Sequence, residues 1–194
     1  MIAIIDYGAG NVKSVQNAFD RLGTGTIITA DKEVIQSADK VIFPGVGHAY
    51  SAMKQIQEKG LDQVIPNLQQ PVLGICLGMQ LMCRFSEEGN TKGLGIFSDQ
   101  VVRFQLEERV PHMGWNAIEN QQGDLFEGIE TGTDFYFVHS YYVPTSTSSV
   151  AQTNYGISFT SALQQNNFYA VQFHPEKSGE SGERLLLNFL NIQP

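Results

Sequence analysis

The sequence predicts an α/β fold: a mixed, mostly parallel central sheet flanked by helices, within a single domain spanning residues 1–194. Three observations predict it. Short apolar runs rich in β-branched residues recur without internal alternation, as strands buried on both faces require. Between them lie stretches with apolar residues at steps of three and four. Gly- and Pro-rich turns close several of the runs.

The elements follow in order. Residues 2–5 (IAII) read as a buried strand closed by Asp6-Tyr7-Gly8-Ala9-Gly10. Asn11 stands at the N-cap of a helix running to residue 22, with Val12, Val15, Phe19 and Leu22 as its apolar stripe. Residues 26–29 form a second strand. Val41-Ile42-Phe43 forms a third, ended by Pro44-Gly45-Val46-Gly47. Helical patterns follow over residues 50–58 and, more briefly, 61–68. Residues 71–75 are a fourth buried strand, which runs straight into Cys76 and a helix over 77–85. The second half changes character. Residues 101–106, 135–139, 150–154, 158–163 and 169–173 read as strands with short turns, an antiparallel or mixed extension of the sheet. A helix over 182–191 ends the pattern. Residues 144–149 (PTSTSS) are a polar loop, not a domain boundary, and no repeat is visible.

Composition narrows the function classes. The 194 residues, 42% hydrophobic and 16% charged, suit a globular chain with a sizeable core. Twelve basic against 20 acidic residues give a formal charge of -8, which argues against nucleic acid or an anionic membrane as the main partner. The two cysteines, Cys76 and Cys83, sit on one strand-helix unit, a poor place for a bridge, so a reduced cytosol is expected. The start, MIAIIDYGAGN, lacks the basic region and apolar core of a signal peptide. No apolar run approaches the ~20 residues that would span a membrane.

Two constellations carry chemistry. Gly74-Ile75-Cys76-Leu77-Gly78 follows a buried strand and opens a helix, the logic of a nucleophile elbow. Small residues flank the nucleophile because the turn is tight, and a helix N-terminus favours a thiolate over a thiol. The plain alternative is a small buried cysteine at a strand end. In Phe173-His174-Pro175-Glu176, a strand ends on a histidine with an acid two residues later. In an extended chain these two side chains point the same way, so Glu176 can orient His174 while its other nitrogen faces a nucleophile. Both constellations lie at strand C-terminal ends, where open α/β sheets place their sites. The Pro44-Gly45-Val46-Gly47 turn offers backbone N–H groups to an oxyanion, and the Leu77 N–H offers another.

Together with PHMGWN, YFVHSYY, FHPEKSG and the opening DYGAGNVKSV, these segments resemble the class I (triad) glutamine amidotransferases over essentially the whole chain. Within that family the chain resembles the glutaminase subunits of histidine biosynthesis. The resemblance implies a flavodoxin-like single-domain fold and a triad of Cys76, His174 and Glu176 that hydrolyses glutamine through a glutamyl thioester. It implies oxyanion donors at Val46, Gly47 and Leu77, and glutamine contacts at Gln80, His139, Ser140 and Tyr141. It further implies a heterodimer with a (β/α)8-barrel cyclase that receives the ammonia, with Asn11, Met113, Trp115 and Lys177 at the interface. No cofactor or metal is implied, and His48, His112 and His139 show no metal-ligand spacing. After PGVG the chain departs from the family pattern: it reads His48-Ala49-Tyr50-Ser51-Ala52-Met53, with Ala49 and Tyr50 at the usual Phe and Gly positions.

Two residue-level readings are plainer. Cys83 is expected in the core. Gly8-Ala9-Gly10 lacks the third glycine and the matching acid of a dinucleotide loop, so it is a tight turn. Two further readings compete with the histidine pathway: a related barrel that aminates a surface-sugar precursor, and a non-catalytic α/β binding module.

Overall fold

The computed structural model describes residues 1–8, 11–105 and 108–193. The first half alternates strand and helix: β1 (Ile2–Ile5), α1 (Val12–Arg21), β2 (Thr26–Thr29), α2 (Lys32–Ser37), β3 (Lys40–Gly45), α3 (Ala49–Glu58), β4 (Val72–Cys76) and α4 (Leu77–Met82). The second half is mainly strands: β5 (Cys83–Ser86), β6 (Thr91–Lys92), β7 (Phe97–Arg103), β8 (His112–Ala117), β9 (Asp134–His139), β10 (Tyr141–Tyr142), β11 (Ser149–Tyr155), β12 (Ile157–Gln165) and β13 (Phe168–Val171). The helix α5 (Gly179–Asn191) follows.

The main sheet has the order β11-β12-β13-β4-β3-β1-β2. From β13 to β2 every pairing is parallel, and β12 and β11 extend it antiparallel. Every residue of β1, β3, β4 and β13 is buried, which is why these strands read as unbroken apolar runs. Two apolar layers cover the sheet. One gathers Phe43, Met53, Ile56, Met79 and Met82; the other gathers Phe19, Phe135, Phe137, Phe159, Phe173 and Phe189. Each such side chain contributes about 1.5–3 kcal/mol through burial. A smaller sheet (β10-β7-β5-β6) and the β8-β9 pair pack beside the main one. No helix among the described residues is long and apolar enough to cross a membrane.

Several elements differ from the expectation. The helix expected over 77–85 stops at Met82, and Cys83–Ser86 is a strand. The carbonyls that would continue the helix are taken by another segment: Leu94, Ile96 and Gly95 donate backbone N–H groups to Leu81, Met82 and Cys83 at 2.8, 2.9 and 3.2 Å. Tertiary pairing with β7 then draws Cys83 and Phe85 into a sheet. The expected 61–68 helix is two short 3-10 turns, Leu61–Gln63 and Ile65–Asn67, the second carrying a proline. Asn11 occupies the position before α1, but its side chain makes no cap hydrogen bond. The strand expected over 101–106 is β7, which begins earlier, at Phe97, and ends at Arg103; Leu106 lies outside the described residues, as do Ala9 and Gly10 of the tight turn. Among the elements not anticipated are α2, capped by Asp31, whose Oδ1 accepts from Glu33 and Val34 N–H groups, and the strands β6, β8 and β10.

Candidate active site

The end of β4 and the start of α4 place Cys76. Its backbone takes φ 53° and ψ -109°. Those are the angles of the first central residue in a type II′ turn, a place glycine favours. The turn is possible because neighbouring backbones approach closely. A Cβ on Gly78 would collide with the Phe43 carbonyl oxygen. One on Gly45 would lie 2.5 Å from Tyr7 Oη and 2.9 Å from Leu77 Cβ. These glycines let β3 and α4 meet directly behind the cysteine. Tyr7 closes the arrangement by donating its hydroxyl to the Pro44 carbonyl at 3.0 Å. Burial, then the charges of Cys76 and Asp6, hold the Tyr7 phenol well above its ordinary range, so it remains a neutral donor.

His174 follows β13. Its N–H donates to the Tyr136 carbonyl at 2.9 Å, and Ser178 Oγ donates to its carbonyl at 2.7 Å. Its Nδ1 meets Glu176 Oε1 at 2.8 Å, with both side chains 2% exposed. The pairing expected from the sequence is present, but not through an extended chain. Pro175–Lys177 is a 3-10 turn that folds the Glu176 carboxylate back onto the imidazole. Burial disfavours the imidazolium; the nearby Cys76 and Glu176 outweigh it and raise the His174 pKa. Among the described residues, His174 Nε2 and Glu176 Oε2 find no hydrogen-bond partner. A buried Nδ1–carboxylate pair with an uncommitted Nε2 is suited to move a proton at Nε2.

Cys76 and His174 open into a cleft of about 300 Å³, the size class of small-molecule sites. Val46, Gly47, Leu77, Gln80, His139, Ser140 and Tyr141 line it too, so the structure brings the expected triad, oxyanion and substrate residues together. Three lining residues were not foreseen: Glu88, Pro111 and Val138. Glu88 Oε2 accepts the Ala49 N–H at 2.7 Å and His48 Nδ1 accepts the Tyr50 N–H at 3.3 Å, so both secure the start of α3. The departure after PGVG is accommodated there: Ala49 is fully buried and Tyr50 is 58% exposed. Cys83 is buried and unbridged, its thiol pushed up by burial.

Of the expected interface residues, Met113 and Trp115 are 62% and 57% exposed on β8. Trp115 meets Tyr136 edge-on at 6.1 Å, and Lys177 Nζ lies 5.9 Å from the same ring. Asn11 stands apart from this group and lines a small gap beside His174 and Glu176.

Beneath the cleft, register pairs His112 with His139 across β8 and β9, and His112 Nδ1 lies 2.9 Å from His139 Nε2. Burial pushes His112 down to about 4; burial, with the neighbouring histidines, pushes His139 down to about 3. Both values lie below the unfolded value near 6.5, so the unfolded chain binds these protons first as pH falls. The stability this neutral pair contributes is complete above pH ~6.5 and is lost as pH falls through ~4 toward ~3. Thermal melts should therefore drop across that window. His112→Phe should flatten the slope by about 1.4 kcal/mol per pH unit, one titrating group; an unchanged slope would refute burial as the cause.

Comparison with known proteins places this geometry. A family model described as "Glutamine amidotransferase class-I" matches residues 3–192. The chain is 58% identical to imidazole glycerol phosphate synthase subunit HisH of Bacteroides fragilis, covering 98% of this chain and 99% of that one. It is 48% identical to the Escherichia coli protein of the same name, with the same coverage. Among solved structures, a protein described only as glutamine amidotransferase matches with a TM-score of 0.76 at 19% identity, over 98% of this chain and 97% of that one. The PurLQS structure from Thermotoga maritima matches with a TM-score of 0.73 at 15% identity, over 98% and 97%. These two show a shared fold.

Proposed function

The chain belongs to the class-I glutamine amidotransferase family, and on that premise we propose that it is the glutaminase subunit of an imidazole glycerol phosphate synthase. The observation that carries this reading is the buried His174–Glu176 pair beside Cys76 at the head of the cleft.

In this reading Cys76 Sγ attacks the side-chain amide carbon of glutamine. His174 Nε2 takes the thiol proton and returns it to the departing ammonia, while Glu176 stabilises the imidazolium. Backbone N–H groups of Val46, Gly47 and Leu77 hold the oxyanion, each such donor contributing about 2.7–4 kcal/mol at the transition state. Water then hydrolyses the glutamyl thioester to glutamate. Gln80, His139, Ser140 and Tyr141 bind the substrate. Gln80 Nε2 is already engaged by the Tyr141 carbonyl and Gln172 Oε1, which leaves its Oε1 as the acceptor available to glutamine.

The ammonia passes to a partner, a (β/α)8-barrel cyclase, which makes imidazole glycerol phosphate and the aminoimidazole carboxamide ribotide. Trp115, Met113 and Lys177 form the docking patch, with Asn11 nearer the triad. The setting is the cytoplasm, where the free thiols Cys76 and Cys83 stay reduced. The curated relatives, which carry the name imidazole glycerol phosphate synthase subunit HisH at 46–58% identity, favour this over the surface-sugar alternative.

The test is glutamate release by the chain alone and with the cyclase and its nucleotide. Turnover should rise about 5–150-fold with both present, the usual range of coupling between sites. Trp115→Ala should weaken association by about thirtyfold, as loss of a buried aromatic anchor does. Full turnover without the partner would overturn the coupling, and failure to restore growth of a histidine auxotroph would overturn the pathway.

A further inference from the structure

Gln172 is fully buried, between β13 and His174, and no step described so far uses it. The orientation of its amide is fixed. Gln80 Nε2 donates to Gln172 Oε1 at 2.9 Å, so Gln172 Nε2 is the donating end, and it lies 3.7 Å from Cys76 Sγ.

Gln80 is fixed in turn, because the same Nε2 donates to the Tyr141 carbonyl at 2.9 Å. That carbonyl also accepts from His139 Nδ1 at 2.8 Å. His139 Nε2 is therefore an acceptor, and His112 Nδ1, 2.9 Å away, must donate to it. His112 Nε2 is then an acceptor for Asn116 Nδ2 at 3.2 Å. Asn116 is anchored at both ends: Nδ2 donates to the Asn154 carbonyl at 3.0 Å, and Oδ1 accepts the Ala117 N–H at 2.8 Å. Donors from two sides thus converge on the Tyr141 carbonyl, His139 from the β8–β9 side and Gln80 from the side of the sulfur, and Gln80 in turn sets the Gln172 amide. Burial keeps both histidines neutral, which preserves their tautomers.

We propose that Gln172 is a positioning residue for Cys76: its amide N–H, held in the donating orientation by this chain, fixes the sulfur and favours its thiolate. The inference rests on the reading of Cys76 as the nucleophile. A hydrogen bond donated to sulfur strengthens when the sulfur is charged, so it stabilises the thiolate over the thiol. In the resting arrangement Sγ donates its proton toward the Val138 carbonyl at 3.9 Å, while His174 Nε2 is uncommitted. When the thiolate forms, the proton moves to His174 Nε2, and Gln172 retains the sulfur from the other side. The titratable groups facing Cys76 are Tyr7 after β1, His139 at the end of β9, Glu88 across the cleft, and His174 with Glu176 after β13.

The experiment is the pH profile of Cys76 alkylation by iodoacetamide, followed by mass analysis of the Cys76 peptide so that Cys83 does not contribute. In Gln172→Met the midpoint should rise by about one pH unit, a tenfold loss of thiolate below it. Gln172→Glu, nearly isosteric, should raise it further by placing a carboxylate beside the sulfur. Should neither variant fold, Gln80→Met, which frees the Gln172 amide to turn, carries the same expectation. In the glutaminase assay Gln172→Met should lower kcat about tenfold with KM nearly unchanged. A wild-type alkylation profile in a folded variant overturns the proposal. Alkylation needs no glutamine, so a wild-type chain that fails to hydrolyse glutamine would overturn the proposed function and leave this profile readable.

Discussion

Cys76→Ala should remove glutamine hydrolysis, lowering kcat by about four orders of magnitude or more, while the fold survives. The size follows from the kind of step lost. Without a nucleophile no thioester forms, and what remains is the oxyanion turn and binding acting on water. The fold should survive because Cys76 is a small side chain and its sulfur's hydrogen bonds to Gln172 and Val138 are long, at 3.7 and 3.9 Å. The backbone offers a sharper check. A non-glycine residue at φ 53° and ψ -109° costs of order 1–3 kcal/mol, held in place by its surroundings. Cys76→Gly should therefore be as inactive as the alanine variant yet melt higher than it. The measurements are glutamate release with the partner present and thermal denaturation of all three chains. Retained turnover in Cys76→Ala would remove the cysteine from the chemistry. A lower melting point in Cys76→Gly would show that the turn stores no strain.

What could be read in the sequence, and what could not, divides along a physical line. The strands that carry the site were legible because β1, β3, β4 and β13 are buried on both faces, and burial on both faces leaves an unbroken apolar run. Cys76 and His174 were legible because Cys76 ends such a run and His174 follows one within three residues. The helix α2 was not, since its six residues bury only Ile35 and so leave no stripe. The end of α4 was hidden for a different reason. Nothing in LGMQLMCRF announces that residues 94–96 will take the carbonyls at the helix's end. The His112–His139 pair depends on the register of β8 against β9, which a single sequence does not specify. Gln172 carries no pattern of its own: only the folded chain shows that its amide lies between Gln80 and the nucleophile.

Gly78→Ala tests whether the elbow depends on that close approach of backbones. On helix propensity alone the change should help, because alanine is favoured over glycine inside a helix by about 0.8–1.0 kcal/mol. Sterics should win. The added methyl would collide with the Phe43 carbonyl oxygen and lie 3.0 Å from its carbon, and this is backbone of a central, fully buried strand that cannot turn aside. The helix α4 must lift from β3 instead, at a cost of about 1–3 kcal/mol or more. Leu77 and Cys76 would move with it, carrying the sulfur away from the His174 imidazole beside it. A displacement of about 1 Å at a reacting atom is enough for a loss of about a hundredfold in rate. Gly74→Ala provides the comparison. Its methyl would meet the Met82 sulfur at 2.8 Å and the Met79 nitrogen at 3.1 Å, and the methionine can swing away. Denaturant melts and glutamate release should rank wild type above Gly74→Ala, and Gly74→Ala above Gly78→Ala. If Gly78→Ala melts and turns over as the wild type does, the contact between α4 and β3 is not what holds the nucleophile in its turn.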